Sequence, residues 1–119
     1  MGWVLVADDD DDIREMIELI VASEGMRAVG ARDGVEALEQ LRADGVPSVV
    51  LLDWMMPRLS GNEVLRAVRA DPRLHDLPVV VLSGNPGSVE EAKRSGADGS
   101  LQKPVDLDEL LHALHRFTG

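Results

Sequence analysis

An open parallel α/β sandwich, five strands each followed by a helix, is the fold class this sequence predicts. Three observations carry it. Val4–Ala7, Val49–Leu52 and Val79–Leu82 are near-continuous apolar runs of strand length, as in strands buried on both faces. Segments of helical period alternate with these runs. The 119 residues, 45% of them hydrophobic, suffice for one aliphatic core and are too few for a second domain of ordinary size. One domain over 1–119 is therefore expected.

The first strand is Val4–Ala7. A helix follows in which Ile13, Met16, Ile17, Ile20 and Val21 share one face, and Gly25 stops it. Arg27–Val29 is a weaker, outer strand. Asp33 with Glu36 has the spacing of a helix start, and Gly45 ends that second helix. Val49–Leu52 leads to a third helix opened by Ser60 with Glu63 and ended at Asp71-Pro72. After Val79–Leu82, Ser88 with Glu91 opens the fourth helix, the weakest, with only Val89 and Ala92 to bury; it is expected to be the most mobile. Gly99–Gln102 is the last strand. Asp106 with Glu109 opens a fifth helix with the stripe Leu107, Leu110, Leu111, Leu114 and Phe117. Alternation of this kind implies a parallel sheet covered by helices on both faces.

Composition removes several classes of function. With no cysteine there is no disulfide, thiolate metal site or thiol nucleophile. The 22 acids outweigh 12 bases, for a net charge of −10, which repels phosphate backbones and anionic lipids. Direct nucleic-acid or membrane binding is not expected. No apolar run approaches the roughly 20 residues of a membrane span, and no basic, apolar leader precedes the acids at 8–12. A cytoplasmic setting is expected.

Ligands of open parallel sheets bind beyond the carboxyl ends of the strands. Those ends carry Asp8 and Asp9, Asp53, Ser83, and Lys103-Pro104. Carboxylates gathered at one edge raise one another's pKa unless a cation neutralises them. Hard oxygen ligands suit Mg²⁺, with Mn²⁺ as the alternative, rather than zinc. A carboxylate beside such an ion, with a lysine across from it, is placed to attack a phosphoryl group. For Asp10, Asp11 and Asp12 the capping and solvation reading holds, since acids favour a helix start. An EF-hand is excluded, because the sixth position counted from Asp8 is Ile13 and the twelfth is Leu19. His112 and His115, near a helix end, are read as solvated imidazoles, and the methionines and Trp54 as packing residues.

Val4-Leu5-Val6-Ala7-Asp8-Asp9, Leu51-Leu52-Asp53-Trp54-Met55-Met56-Pro57, Val81-Leu82-Ser83-Gly84 and Lys103-Pro104, in that order, resemble the receiver domain of two-component response regulators. Gly61 and Gly96-Ala97-Asp98 fit the same pattern. The resemblance spans the whole chain and implies a flavodoxin-like (βα)5 fold with strand order 2-1-3-4-5. It implies that Asp53 is the phosphoacceptor, served by a phosphohistidine on a sensor histidine kinase or a histidine phosphotransfer protein. Asp9, Asp53 and the Met55 carbonyl would bind Mg²⁺ directly and Asp8 largely through water. Ser83 and Lys103 would meet the phosphoryl oxygens, with Gly84 and Pro104 in support and a cis Lys103-Pro104 bond. Such a domain catalyses only its own phosphorylation and dephosphorylation, and acts on a downstream protein.

One position departs from the family pattern, and two others bear on phosphoryl lifetime. Ser100 stands where an aromatic residue is usual, so the loop after Ser83 and the fourth helix are expected to respond to phosphorylation more than the outer face of the fifth strand. Met55 and Asn85 occupy positions that modulate dephosphorylation, and an intermediate phosphoryl lifetime is expected. A haloacid-dehalogenase-type phosphatase is a rival, since Asp8-Asp9-Asp10 contains Asp-x-Asp, although Asp12 stands where a small hydroxyl or aliphatic residue belongs. A degenerate receiver serving only as an interaction module is another. A flavin carrier lacks both its phosphate loop and its aromatic walls. Oligomeric state, stimulus and cognate kinase leave no mark in the sequence.

Overall fold

The three central strands alternate their side chains between two aliphatic layers and are buried throughout, whereas the two outer strands are partly exposed. In the computed structural model, which describes residues 2–43 and 45–118, the elements run β1 Trp3–Ala7, α1 Asp11–Ser23, β2 Arg27–Ala31, α2 Gly34–Ala43, β3 Val49–Asp53, α3 Gly61–Ala70, β4 Val79–Ser83, α4 Pro86–Arg94, β5 Gly99–Gln102 and α5 Leu107–Thr118. Met1 and Gly119, the ends of the expected domain, lie outside the described residues. All four strand pairings are parallel and the order is β2-β1-β3-β4-β5. This is the expected flavodoxin-like arrangement.

Leu5, Ala7, Val50, Leu52, Val79 and Val81 point toward α2, α3 and α4, where Leu41, Val64, Leu65 and Ala92 meet them. Val4, Val6, Val49, Leu51, Val80, Leu82 and Leu101 point the other way, onto Ile17, Val21, Leu110 and Leu114 of α1 and α5. Each fully buried Leu, Ile or Val contributes roughly 1.5–3 kcal/mol, and these two layers dominate the stability. Trp54 and Met56 are buried too, as packing residues.

Helix starts follow the expected chemistry at four of five places. Asp10 Oδ1 accepts from Asp12 N and Ile13 N at 3.0 and 3.1 Å. Ser60 and Glu63 form a reciprocal capping box. Asp33 and Asp106 accept from the amides three residues on, Glu36 N at 2.9 Å and Glu109 N at 3.0 Å. The Glu36 carboxylate, however, reaches back to Arg32 N rather than to Asp33.

The fourth start is a correction. α4 begins at Pro86, not after Ser88, because Asn85 caps it by accepting from Gly87 N at 2.8 Å and Pro86 is pre-set for the first turn. Only Ala92 of α4 is buried. In α5 the stripe is narrower than expected: Leu110 and Leu114 are buried, but Leu107 is 53% exposed. Gly96-Ala97-Asp98 also has a structural task. Asp98 Oδ2 accepts from Val79 N and Arg69 Nη2 at 2.8 and 2.9 Å, tying the starts of β4 and β5 to α3.

Candidate functional site

Because all five strands point one way, their carboxyl ends share an edge. β1 runs into Asp8 and Asp9, β3 ends at Asp53, β4 ends at Ser83, and Lys103 follows β5. Asp8, Asp53 and Ser83 are buried, Lys103 is half-buried and Asp9 is exposed. Carboxylate oxygens of Asp8, Asp9 and Asp53 lie within 4.8 Å of one another, the one such acidic or histidine cluster of three among the described residues. Lys103 Nζ stands 3.0 Å from Asp8 Oδ2 and 3.4 Å from Asp53 Oδ2. The Lys103 amide also donates to the Ser83 carbonyl at 2.8 Å, which locks the ends of β4 and β5 together. The Lys103-Pro104 bond is cis, as the resemblance implied.

The charges in this edge are poorly balanced. Asp8 Oδ1 accepts from Asp10 N at 2.9 Å, but the buried Oδ2 receives no aligned hydrogen bond and has only the Lys103 ammonium at ionic distance. Asp53 Oδ1 accepts from Met55 N at 3.2 Å. Burial first, and then the Asp8 charge, push the Asp53 carboxyl up to about 7, against the pull of Lys103 and the Met55 amide. Burial disfavours the Lys103 ammonium, yet bonding and charge from Asp8 and Asp53 outweigh it and hold its pKa above the usual lysine value. One ammonium cannot neutralise three carboxylates. An all-oxygen acidic set with an unpartnered buried lone pair fits a small hard dication.

The remaining expected site residues fall around this centre. Ser83 Oγ donates to the Asn85 carbonyl at 2.9 Å and accepts from Asn85 N at 3.1 Å. The Asn85 amide oxygen is occupied as the α4 cap. Met55 is 73% exposed, so of the two neighbouring methionines only Met56 packs as expected. Gly84 and Pro104 are exposed, and a Cβ on Gly84 would meet open space. Ser100 is exposed on β5 beside a hollow of about 240 Å³ that it shares with Val89, Ala92, Lys93 and Ala97. His115 Nε2 faces the carboxylate of Glu24, the residue that caps the end of α1.

Two links at this edge escape sequence reasoning. The Trp54 indole donates to Glu91 of α4, and Arg58 pairs with Asp33 at the start of α2. Neither partner is near in sequence, so no local spacing marks them.

The response regulator receiver domain family matches residues 4–115. Response regulator MprA of Mycobacterium ulcerans is 42% identical over 110 residues, covering 91% of this chain and 46% of that protein. The chain thus spans about half the length of the curated relatives it matches. The chemotaxis response regulator CheY4 of Vibrio cholerae superposes with a TM-score of 0.90 at 33% identity, over 98% of each chain. The receiver domain of sensor histidine kinase PA1611 from Pseudomonas aeruginosa, solved with a magnesium ion coordinated in its active-site cleft, gives 0.89 at 26% identity over 98% of this chain and 96% of that one. By sequence and by fold, with the four motifs gathered at one sheet edge, this chain belongs to the response regulator receiver domain family.

Proposed function

We propose that this domain accepts a phosphoryl group onto Asp53 from a phosphohistidine of a sensor histidine kinase or phosphotransfer protein, in a Mg²⁺-dependent reaction. The observation that carries the reading is the buried Asp53 carboxylate, which shares its hollow with Asp8 and faces the Lys103 ammonium at 3.4 Å. An Asp53 oxygen attacks phosphorus, the nitrogen–phosphorus bond of the donor breaks, and the imidazole leaves with that electron pair and takes up a proton. The product is an acyl phosphate. Asp9, Asp53 and the Met55 carbonyl would hold Mg²⁺, with Asp8 acting mainly through water. When bound, the ion supplies positive charge against the phosphoryl oxygens and the clustered carboxylates. The magnesium ion named for the PA1611 receiver supports that choice.

Lys103 neutralises one phosphoryl oxygen and Ser83 donates to another once its hydroxyl leaves the Asn85 carbonyl. The loop after Ser83 and α4 then move more than the outer face of β5, because Ser100 has no ring with which to fill or vacate the hollow beside it. A downstream protein reads that change. Dephosphorylation proceeds at an intermediate rate: apolar Met55 orients no water, and Asn85 does so only through its NH₂, its oxygen being the helix cap.

Incubation with acetyl phosphate and Mg²⁺ should add the mass of one phosphoryl group, and neither Asp53→Asn nor chelated wild type should gain it. No labelling of the wild type would exclude the phosphoacceptor reading in favour of a pure interaction module. Steady turnover of phosphate esters would instead identify a phosphatase.

A further inference from the structure

Arg58 has a φ of +68°, and among the described residues no other non-glycine residue has a positive φ. Leu59 N donates to the Pro57 carbonyl at 2.8 Å, closing a three-residue turn around Arg58. This is the strained, rare form of such a turn, and an L side chain adopts it only when its surroundings impose it. The imposing group is Asp33. Its Oδ2 accepts from Arg58 Nε at 2.8 Å and stands at an ionic distance of 2.8 Å from Nη2, while its Oδ1 accepts from Glu36 N at the start of α2.

The pair is unlike an ordinary surface ion pair. The Arg58 side chain is 55% exposed, but that of Asp33 is only 12% exposed and is anchored at both oxygens. Charge-assisted bonds to a buried, pre-positioned carboxylate are the stronger kind. A second contact reinforces it: a Cβ on Gly34 would fall 2.3 Å from the Leu59 carbonyl oxygen, so the loop lies flush on the first residue of α2. At its two ends the loop is sewn by Met55 N to Asp53 Oδ1 and by Gly61 N to the Trp54 carbonyl at 3.0 Å. Met55 lies between these anchors.

We infer that the Asp33–Arg58 pair is a positioning device for metal capture: it holds the loop after Asp53 in the strained course that presents the Met55 carbonyl to Mg²⁺. The inference rests on the phosphoacceptor reading of the site. Neither residue touches the ion. Relaxing Arg58 to a negative φ redirects the chain from Met55 to Leu59, and the carbonyl with it.

The test is Mg²⁺ titration by calorimetry on the whole chain, with carbon chemical shifts of residues 57–59 in the metal-free protein and urea midpoints as the folding control. Arg58→Ala loses the pair but keeps the Cβ that disfavours positive φ, so its Mg²⁺ dissociation constant should rise about fivefold or more, the 57–59 shifts leaving their left-handed values. Asp33→Asn keeps a capping oxygen while removing the charge, and should weaken binding in the same direction. Arg58→Gly lacks the pair but adopts positive φ freely, so it should bind within about twofold of wild type. Arg58→Ala binding as tightly as wild type, or Arg58→Gly binding as weakly as Arg58→Ala, overturns this inference alone. Wild type that binds no Mg²⁺ overturns it together with the phosphoacceptor reading.

Discussion

Trp54 and Glu91 are joined by a 3.0 Å hydrogen bond from the indole Nε1 to a carboxylate oxygen, which ties the residue after Asp53 to α4. The indole is buried and the carboxylate sits on an exposed part of the helix. Since Ala92 is the one fully buried residue of α4, this bond adds a specific tie between the helix and the sheet edge.

Glu91→Ala therefore leaves a buried N–H without a partner and should cost about 1–3 kcal/mol in urea unfolding. Hydrogen exchange should quicken in α4 more than in α2, which buries four residues. Glu91→Gln retains an acceptor and should lose less. An unchanged α4 exchange pattern in Glu91→Ala would remove this bond from the account of how the helix is held.

The Asp53 carboxyl, at about 7 in the metal-free fold against 3.8 for an ordinary aspartate, makes a signed prediction. At pH values below both, the folded and unfolded states hold the proton alike. Between them the folded state binds more protons, so metal-free stability falls as pH rises, and the full penalty stands above the folded value. Mg²⁺ competes with that proton. Its stabilising shift in Tm should thus be larger near about pH 8 than near about pH 5. Asp53→Asn should flatten both trends, and equal Mg²⁺ shifts at the two pH values would contradict the raised Asp53 pKa.

Glycines 61 and 84 differ in what they protect. A Cβ at Gly61 would lie 2.5 Å from the Asp53 carbonyl oxygen and 2.7 Å from Trp54 Cα, both backbone atoms. Gly61→Ala must displace the end of β3, so it should cost about 1–3 kcal/mol and slow the labelling of Asp53. A Cβ at Gly84 meets nothing within 4 Å, and Gly84→Ala should stay within about 0.5 kcal/mol of wild type. Urea midpoints and phosphoryl mass shifts check both.

The strands and their shared edge were legible because each central strand is an unbroken aliphatic run that stops at a polar residue: Ala7 before Asp8, Leu52 before Asp53, Leu82 before Ser83. Helix starts were legible where one cap competed with no other. At α4 two candidates competed, and Asn85-Pro86 prevailed over Ser88 because the proline fixes the first turn. Glu91, the other half of that rejected pair, is engaged by Trp54. Leu107 matched the α5 stripe but sits at its first turn, where it stays exposed. The pairs Trp54–Glu91 and Asp33–Arg58 join residues distant in the chain, and only the folded sheet brings them together.

The strand order also sets a timetable. β1 lies between β2 and β3, so an emerging polypeptide can assemble those three and gather all three aspartates while Lys103 is still unmade. For the several seconds that the ribosome needs to reach Lys103, the three aspartates lack the ammonium that faces them in the finished fold.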